Sequence, residues 1–237
     1  MKRCAVFGAS GGIGAALVRQ LAARDDVAVV YAGGRSGTLP DGPKIHPFRF
    51  DATDDDELAA VVAAIGAPLD VVIVATGRLT RADGSGPEKA LRQVTAAALA
   101  EQFADNAIVP AMIARAVLPL LARDRPAVFA ALSARVGSIG DNRLGGWHAY
   151  RASKAALNML IRTIAIEAAR KLPLSVVVAL HPGTVATPLS AAFQRGVAQD
   201  KLFTPDMSAA ALLGVIDGLT PADTGGFFAW DGAPIPF

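Results

Sequence analysis

Short apolar runs alternate along the chain with longer stretches of helical periodicity. Cys4–Phe7, Val27–Ala32, Ile45–Phe50, Val71–Ala75, Ala127–Leu132 and Ser175–Leu180 are rich in aliphatic and aromatic residues, with little polar alternation. A strand that alternates apolar and polar residues buries one face. A strand that is apolar throughout is covered on both, as in a parallel sheet between two layers of helices. The intervening segments supply those helices. Ile13–Ala23 places Ile13, Leu17 and Leu21 on one face, and Asp54–Ile65 does the same with Leu58, Val61, Val62 and Ile65. Thr53 stands where a side chain caps that second helix. Repeated right-handed βαβ units predict an α/β fold: a Rossmann-type doubly wound parallel sheet, a three-layer sandwich in a single domain over residues 1–237. The stretch from Glu88 to Arg123 is alanine-rich and helical, but Asn106 and Pro110 interrupt it. Asparagine is a poor interior residue and proline removes a donor, so a kink is predicted there. Two readings remain: two helices meeting at a polar corner, or a functional asparagine set at the bend.

Composition narrows the classes. The chain has 237 residues, 52% hydrophobic and 19% charged, without an 18-residue apolar run free of polar punctuation. That predicts a soluble cytoplasmic protein with no membrane partner. Net charge is +2 with no lysine or arginine cluster, so nucleic acid is not an expected partner. The one cysteine, Cys4, falls inside the first strand and reads as a buried structural thiol. Met1-Lys2-Arg3 leads straight into that strand, and no targeting segment is expected. His46, His148 and His181 are dispersed, so no metal site is expected.

Chemistry enters at two places. The first strand ends in Gly8-Ala9-Ser10-Gly11-Gly12-Ile13-Gly14, directly before a helix. Glycines remove Cβ atoms where backbone turns sharply, and the helix start offers N–H groups to a phosphate. The second place is Tyr150-Arg151-Ala152-Ser153-Lys154. Residues four apart share a helix face, so Lys154 is expected beside Tyr150, where a cation favours phenolate and lowers the phenol's pKa. A phenol tuned in this way serves as a general acid or base. Leu157, Ile161 and Ile164 continue the stripe into the core, while Trp147 and His148 are expected at a substrate pocket, His148 as wall rather than base. Together the two places predict an oxidoreductase using a nicotinamide cofactor. An acid about 20 residues beyond the glycine turn binds the ribose in NAD sites. Here strand two ends Tyr31-Ala32-Gly33-Gly34-Arg35-Ser36, with no acid before Asp41, and Arg35 suits a 2′-phosphate. NADP(H) is therefore expected over NAD(H). Asp51 either accepts from the adenine amino group or belongs to an acidic helix start.

Gly8-x3-Gly12-x-Gly14, Asp51, Asn106, Tyr150-x3-Lys154 and Pro182-Gly183-Thr184-Val185-Ala186-Thr187, in this order, resemble the short-chain dehydrogenase/reductase family over essentially the whole chain. Ser133-Ala134-Arg135-Val136-Gly137-Ser138-Ile139 with Gly145-Gly146-Trp147 is similar to its small C-factor and sniffer-type carbonyl reductases. The resemblance implies a tetrad acting on a small carbonyl or secondary alcohol. Tyr150 exchanges the proton, and Lys154 tunes it and holds the nicotinamide ribose. Asn106 anchors a water in a proton relay, and a serine polarises the carbonyl. Either Ser133 or Ser138 fills the last role, because Ala134 occupies the expected slot. The resemblance also implies cofactor contacts at Gly8, Ser10, Gly11, Gly12, Ile13, Gly14, Arg35, Asp51, Ala75, Thr76, Gly77, Tyr150, Lys154, Pro182, Gly183, Val185 and Thr187. The family's Asn-Asn-Ala-Gly is Val74-Ala75-Thr76-Gly77 here, which removes two side-chain amides. Pro188 to Phe203 implies a partly apolar lid bearing Leu189, Phe193 and Phe203 beside Gln194, Arg195 and Lys201. A symmetric homodimer or homotetramer is implied through the Ala90–Ala116 helix and the Tyr150 helix. The alternative class is a non-catalytic NAD(P)-binding regulatory or signalling protein on the same fold.

Overall fold

In the computed structural model, which describes residues 1–66, 68–190 and 202–237, alternate residues of the first strand, β1 (Lys2–Phe7), bury against opposite layers. Cys4 and Val6 join a cluster with Leu17, Leu21, Leu212 and Ile216. Ala5 and Phe7 join another with Leu58, Ile113, Leu157 and Ile161. This two-sided burial is why the strands carry so few polar residues. In chain order follow α1 (Gly12–Ala22), β2 (Val27–Gly33), β3 (Ile45–Phe48), α2 (Asp55–Ile65), β4 (Val71–Val74), α3 (Ala96–Phe103) and α4 (Val109–Val117). After them come β5 (Ala127–Leu132), α5 (His148–Lys171), β6 (Ser175–His181), β7 (Thr184–Val185), β8 (Leu202–Phe203), α6 (Pro205–Gly218) and β9 (Phe227–Ala229).

Seven parallel strands run in the order β3-β2-β1-β4-β5-β6-β9, and β7 pairs with β8 beside them. Helices α1 and α6 pack on one face, and α2, α4 and α5 on the other. The doubly wound sandwich is therefore as expected. Its order reverses between β1 and β4, the point at which such sheets open a ligand crevice at their carboxyl ends. Leu157 and Ile161 of α5 are fully buried. Each contributes about 1.5–3 kcal/mol of apolar burial, which seats α5 against that crevice.

Local chemistry overrides periodicity at several points. Asp54, not Thr53, caps α2: its carboxylate accepts from Asp56 N at 2.9 Å and Glu57 N at 3.0 Å. Thr53 donates to Asp51 instead. The helix expected from Glu88 starts only at Ala96, capped by Thr95; before it Leu91–Gln93 form a separate 3₁₀ turn, and the Glu88 carbonyl is taken by Trp147 N. The predicted kink is a π-helical turn over Ala104–Ile108. Pro110 lacks the N–H that would bond Asn106 C=O in an α-helix, and the wider turn accommodates the loss. β3 stops at Phe48, so Asp51 lies in the turn beyond it rather than closing the strand. Helix α6 and the edge strand β9 complete the sheet from a segment whose periodicity was not singled out.

Candidate active site

The glycine turn builds the first half of a cleft. Gly8 adopts φ 93, and a Cβ there would lie 2.7 Å from the Ala75 carbonyl carbon. A Cβ on Gly14 would lie 2.1 Å from Gly8 O, so the turn closes only without side chains. Gly11 precedes α1 with no capping side chain and no acid in the first turn, which leaves the helix N–H groups to an anion. Beside it is a cavity of about 190 Å³ lined by Gly8, Ser10, Gly11, Arg35, Ser36, Asp51, Thr76 and Gly77. Arg35 Nη1 is 3.7 Å from Asp105 Oδ1, an exposed and loose pair worth at most about 1 kcal/mol. A phosphate dianion would compete for that guanidinium. Arg49, not singled out from sequence, donates to Gly37 O at 2.5 Å and fixes the loop that presents Arg35. Asp51 accepts from Thr53 Oγ1 at 2.7 Å and Thr53 N at 2.8 Å, bonds that hold its carboxyl below the usual range. It stands at the cavity wall and in the helix approach at once, so neither reading of it displaces the other. Thr76 Oγ1 is buried with no hydrogen-bond partner. The side-chain-free cradle, the uncapped helix and this orphaned hydroxyl fit a dinucleotide.

Ala75, Thr76, Gly77 and Arg78 line this cavity and also a second one of about 350 Å³. The second is walled by Ile13, Ser133, Tyr150, Lys154, Pro182, Gly183, Val185 and Thr187. The position a side chain would take on Gly12 is 2.9 Å from Thr187 Cγ2, so the Thr187 segment folds back over the glycine turn. All the sequence-predicted cofactor residues except Gly12 and Gly14 thus line one or other of these two adjoining cavities.

Tyr150 and Lys154 share the buried face of α5. Lys154 Nζ donates to Leu132 O, at the tip of β5, at 2.9 Å. The expected lowering of the phenol pKa is reversed: burial pushes Tyr150 up and Lys154 down to about 8. Desolvation penalises the charged form of each, and the ammonium spends its bond on a neutral carbonyl. Asn106 is fully buried, and its Oδ1 accepts from Arg78 N at 2.9 Å. Its Nδ2 donates to Gln102 Oε1 at 2.7 Å and Arg78 O at 2.8 Å, with Ser153 Oγ at 3.2 Å. A Cβ on Gly77 would lie 3.0 Å from Asn106 Oδ1 and 3.3 Å from Lys154 Nζ, so the asparagine and the lysine both close on that glycine.

The two serines separate. Ser133 lines the cavity, while its hydroxyl donates to Asn158 Oδ1 at 2.7 Å. Ser138 Oγ is turned away and accepts from Asp141 N at 3.0 Å; it is not at the cavity wall. His148 is not at the wall either, contrary to expectation, whereas Trp147 is. Phe203 packs edge-on against Trp230 at 4.6 Å rather than lining the site, and Leu189 does line it. Phe193, Gln194, Arg195 and Lys201 lie outside the described residues. Sequence reasoning missed four groups here: Arg78, Arg135 and His181 at the wall, and Glu88 at the start of α5. His181 carried a usable signal, since it ends a strand directly before Pro182-Gly183 at the carboxyl edge of the sheet.

Comparison with known proteins agrees with this geometry. The family model described as short chain dehydrogenase matches residues 2–198. C-signal of Myxococcus xanthus is 37% identical over 170 residues, 72% of this chain and 93% of the relative. The 1-hydroxy-2-glutathionyl-2-methyl-3-butene dehydrogenase of Rhodococcus sp. (strain AD45) is 32% identical over 237 residues, 98% of each chain. Among solved structures, the NADPH-bound carbonyl reductase from chicken fatty liver superposes with a TM-score of 0.84 at 27% identity, over 100% of this chain and 99% of that one. With the glycine cradle and the buried Tyr150–Lys154 pair in one cleft and Asn106 buried nearby, the chain belongs to the short-chain dehydrogenase/reductase family.

Proposed function

We propose that this chain is an NADP(H)-dependent carbonyl reductase, moving a hydride reversibly between the nicotinamide and a small carbonyl or secondary alcohol. The observation that carries the reading is the buried Tyr150–Lys154 pair, in a cavity continuous with the phosphate turn. When bound, the cofactor supplies or accepts the hydride. The chain's own residues do the rest. Gly8 to Gly14 and the start of α1 hold the pyrophosphate, and Arg35 meets the 2′-phosphate. Thr76 Oγ1, Val185 and Thr187 fix the remainder. Tyr150 keeps its proton in the buried site and passes it to the carbonyl oxygen. Lys154 would hold the nicotinamide ribose, and its ammonium would stabilise the phenolate left behind. Asn106, at the π-helical turn, anchors a water that returns the proton. Of the two serines, Ser133 is the one at the wall, but it reaches a substrate oxygen only by giving up Asn158.

The reading extends to a single catalytic domain over residues 1–237, in the cytoplasm, working as a homodimer or homotetramer. A buried, unreactive Cys4, its thiol pushed up to about 12 by burial, suits a reducing compartment. The intact acid–base pair favours catalysis over a regulatory role. The test is Tyr150→Phe with NADPH and a panel of aldehydes and diketones. It should lower kcat by about 10²-fold or more while leaving NADPH affinity nearly unchanged, the usual scale of a general acid. Near-normal turnover by this variant would refute the assignment.

A further inference from the structure

A carbonyl accepting hydride develops negative charge on oxygen, and one donor rarely suffices to hold it. Tyr150 provides one. Ala134 at the cavity wall has no polar side chain, which leaves the second donor to be found among its neighbours. Ser133 has a single hydroxyl hydrogen, and Asn158 Oδ1 takes it at 2.7 Å. The Asn158 amide is itself oriented by Nδ2 donating to Gly137 O at 3.3 Å, so the serine cannot simply reverse the bond. Ser138 faces Asp141. Arg135 is half-exposed at the mouth and paired with Asp141 at 3.1 Å.

His181 remains. It is the last residue of β6, and Ser133 N donates to Leu180 O at 2.7 Å, so the tips of β5 and β6 stand side by side. Leu132 pairs with Leu180 in register and both face the α1–α6 layer. The next residues, Ser133 and His181, therefore turn to the opposite face, where α5 carries Tyr150. His181 lines the same cavity as Tyr150, and its Nδ1 is buried without a hydrogen-bond partner. A buried, unpaired imidazole nitrogen is costly unless a ligand completes it.

We propose that His181 donates the second hydrogen bond to the substrate oxygen, taking the part for which Ala134 has no hydroxyl and Ser133 no free hydrogen. Burial and the nearby Arg135 guanidinium push its pKa down to about 4. The ring is therefore neutral at working pH and keeps its N–H through the reaction; the oxygen takes its proton from Tyr150 and the carbonyl carbon takes the hydride. The inference rests on the carbonyl-reductase reading, and the test separates the two.

The experiment compares His181→Leu, His181→Asn, Ser133→Ala and Tyr150→Phe on diacetyl or nitrobenzaldehyde, whichever the wild type reduces. Leu fills the space without a donor, and Asn keeps an amide N–H near the Nδ1 position. His181→Leu should lower kcat about 10²-fold, the scale of one lost oxyanion donor. NADPH affinity should not move. His181→Asn should recover at least tenfold of that loss, and Ser133→Ala should lose less activity than His181→Leu. A merely structural role for His181 would shift affinity or stability and would not be rescued by Asn. The inference is overturned, with the acid–base reading left standing, if Tyr150→Phe is inactive while both His181 variants turn over like wild type. It is equally overturned if Ser133→Ala carries the loss.

Discussion

Burial sets the charge states of the central pair, and cofactor binding must work against it. Lys154 keeps its proton up to its usual 10.5 in the unfolded chain but only to about 8 when folded. Folding therefore releases a proton between those values, so this residue's penalty on stability is full below pH 8 and fades as pH rises toward 10.5. A bound anionic cofactor favours the ammonium and pulls the other way. NADPH affinity should be flat below about pH 8 and weaken above it as Lys154 deprotonates, and Lys154→Met should remove that break. Fluorescence titration of NADPH across the pH range measures both, and a break that survives in the variant assigns it to another group. At this scale the structure brings Tyr150, Lys154 and the glycine turn to adjoining walls and buries Asn106 nearby, because spacing on a helix and at a strand end determines where side chains point. It misjudged Tyr150's pKa because proximity to a cation is visible in spacing while desolvation is not. His181 and Ser133 were legible as residues, but which of them has a free donor depends on Asn158, 25 positions from Ser133 along the chain.

Helix α5 holds its Tyr150 end against an awkward entry. Gly145 and Gly146 have positive φ, and Trp147 follows at φ 51 with no side-chain cap on the helix. A tryptophan in the left-handed region costs about 1–3 kcal/mol unless its surroundings fix it. Glu88 supplies part of that fixing. Its backbone carbonyl accepts from Trp147 N at 2.5 Å, and its buried carboxylate accepts from Ala149 N at 3.1 Å. The carboxylate also lies where the helix dipole favours a negative charge. Glu88→Ala should cost about 1–2 kcal/mol, as for the loss of a helix cap, and Glu88→Gln should restore most of it by keeping an acceptor. Thermal unfolding distinguishes them; an unchanged Tm for Glu88→Ala would mean the cap is idle. The six apolar strands and the cores of α1 and α2 were legible from periodicity alone. Glu88 was read as the start of a long helix because nothing local in its sequence reports a partner 61 residues away. The π-helical turn was foreseen only as a kink, since proline and asparagine announce a lost bond but not how the chain absorbs it.

At the scale of the molecule, one layer of the sandwich has more apolar surface than its own sheet can cover. The helical stretch Ala96–Leu120 is long and apolar enough to cross a membrane, with an 18-residue window of mean hydropathy 1.3, yet only 33% of that window is buried. Ile113, Ala114 and Val117 face the sheet. Ile108 in this stretch remains 48% exposed, and on the neighbouring α5 Met159 is 66% and Ile166 49% exposed. Met159 and Ile166 are seven residues apart, two helical turns on one face, with exposed Arg162 and Thr163 between them. Ala152 and Ala155, seven and four residues before Met159 on that face, are small and partly exposed, which lets another helix approach closely. A second copy related by a twofold axis would lay the same face against itself, burying both with one self-complementary contact. Tyr150 is on the same helix, so assembly would also stiffen the element that positions it. Sedimentation at micromolar concentration should therefore give a species larger than the 24.3 kDa chain. Met159→Glu should shift it toward monomer, because two like charges would meet near the axis without water to solvate them. A wild type that sediments only as monomer, or a Met159→Glu variant that assembles unchanged, would place the interface elsewhere or remove it.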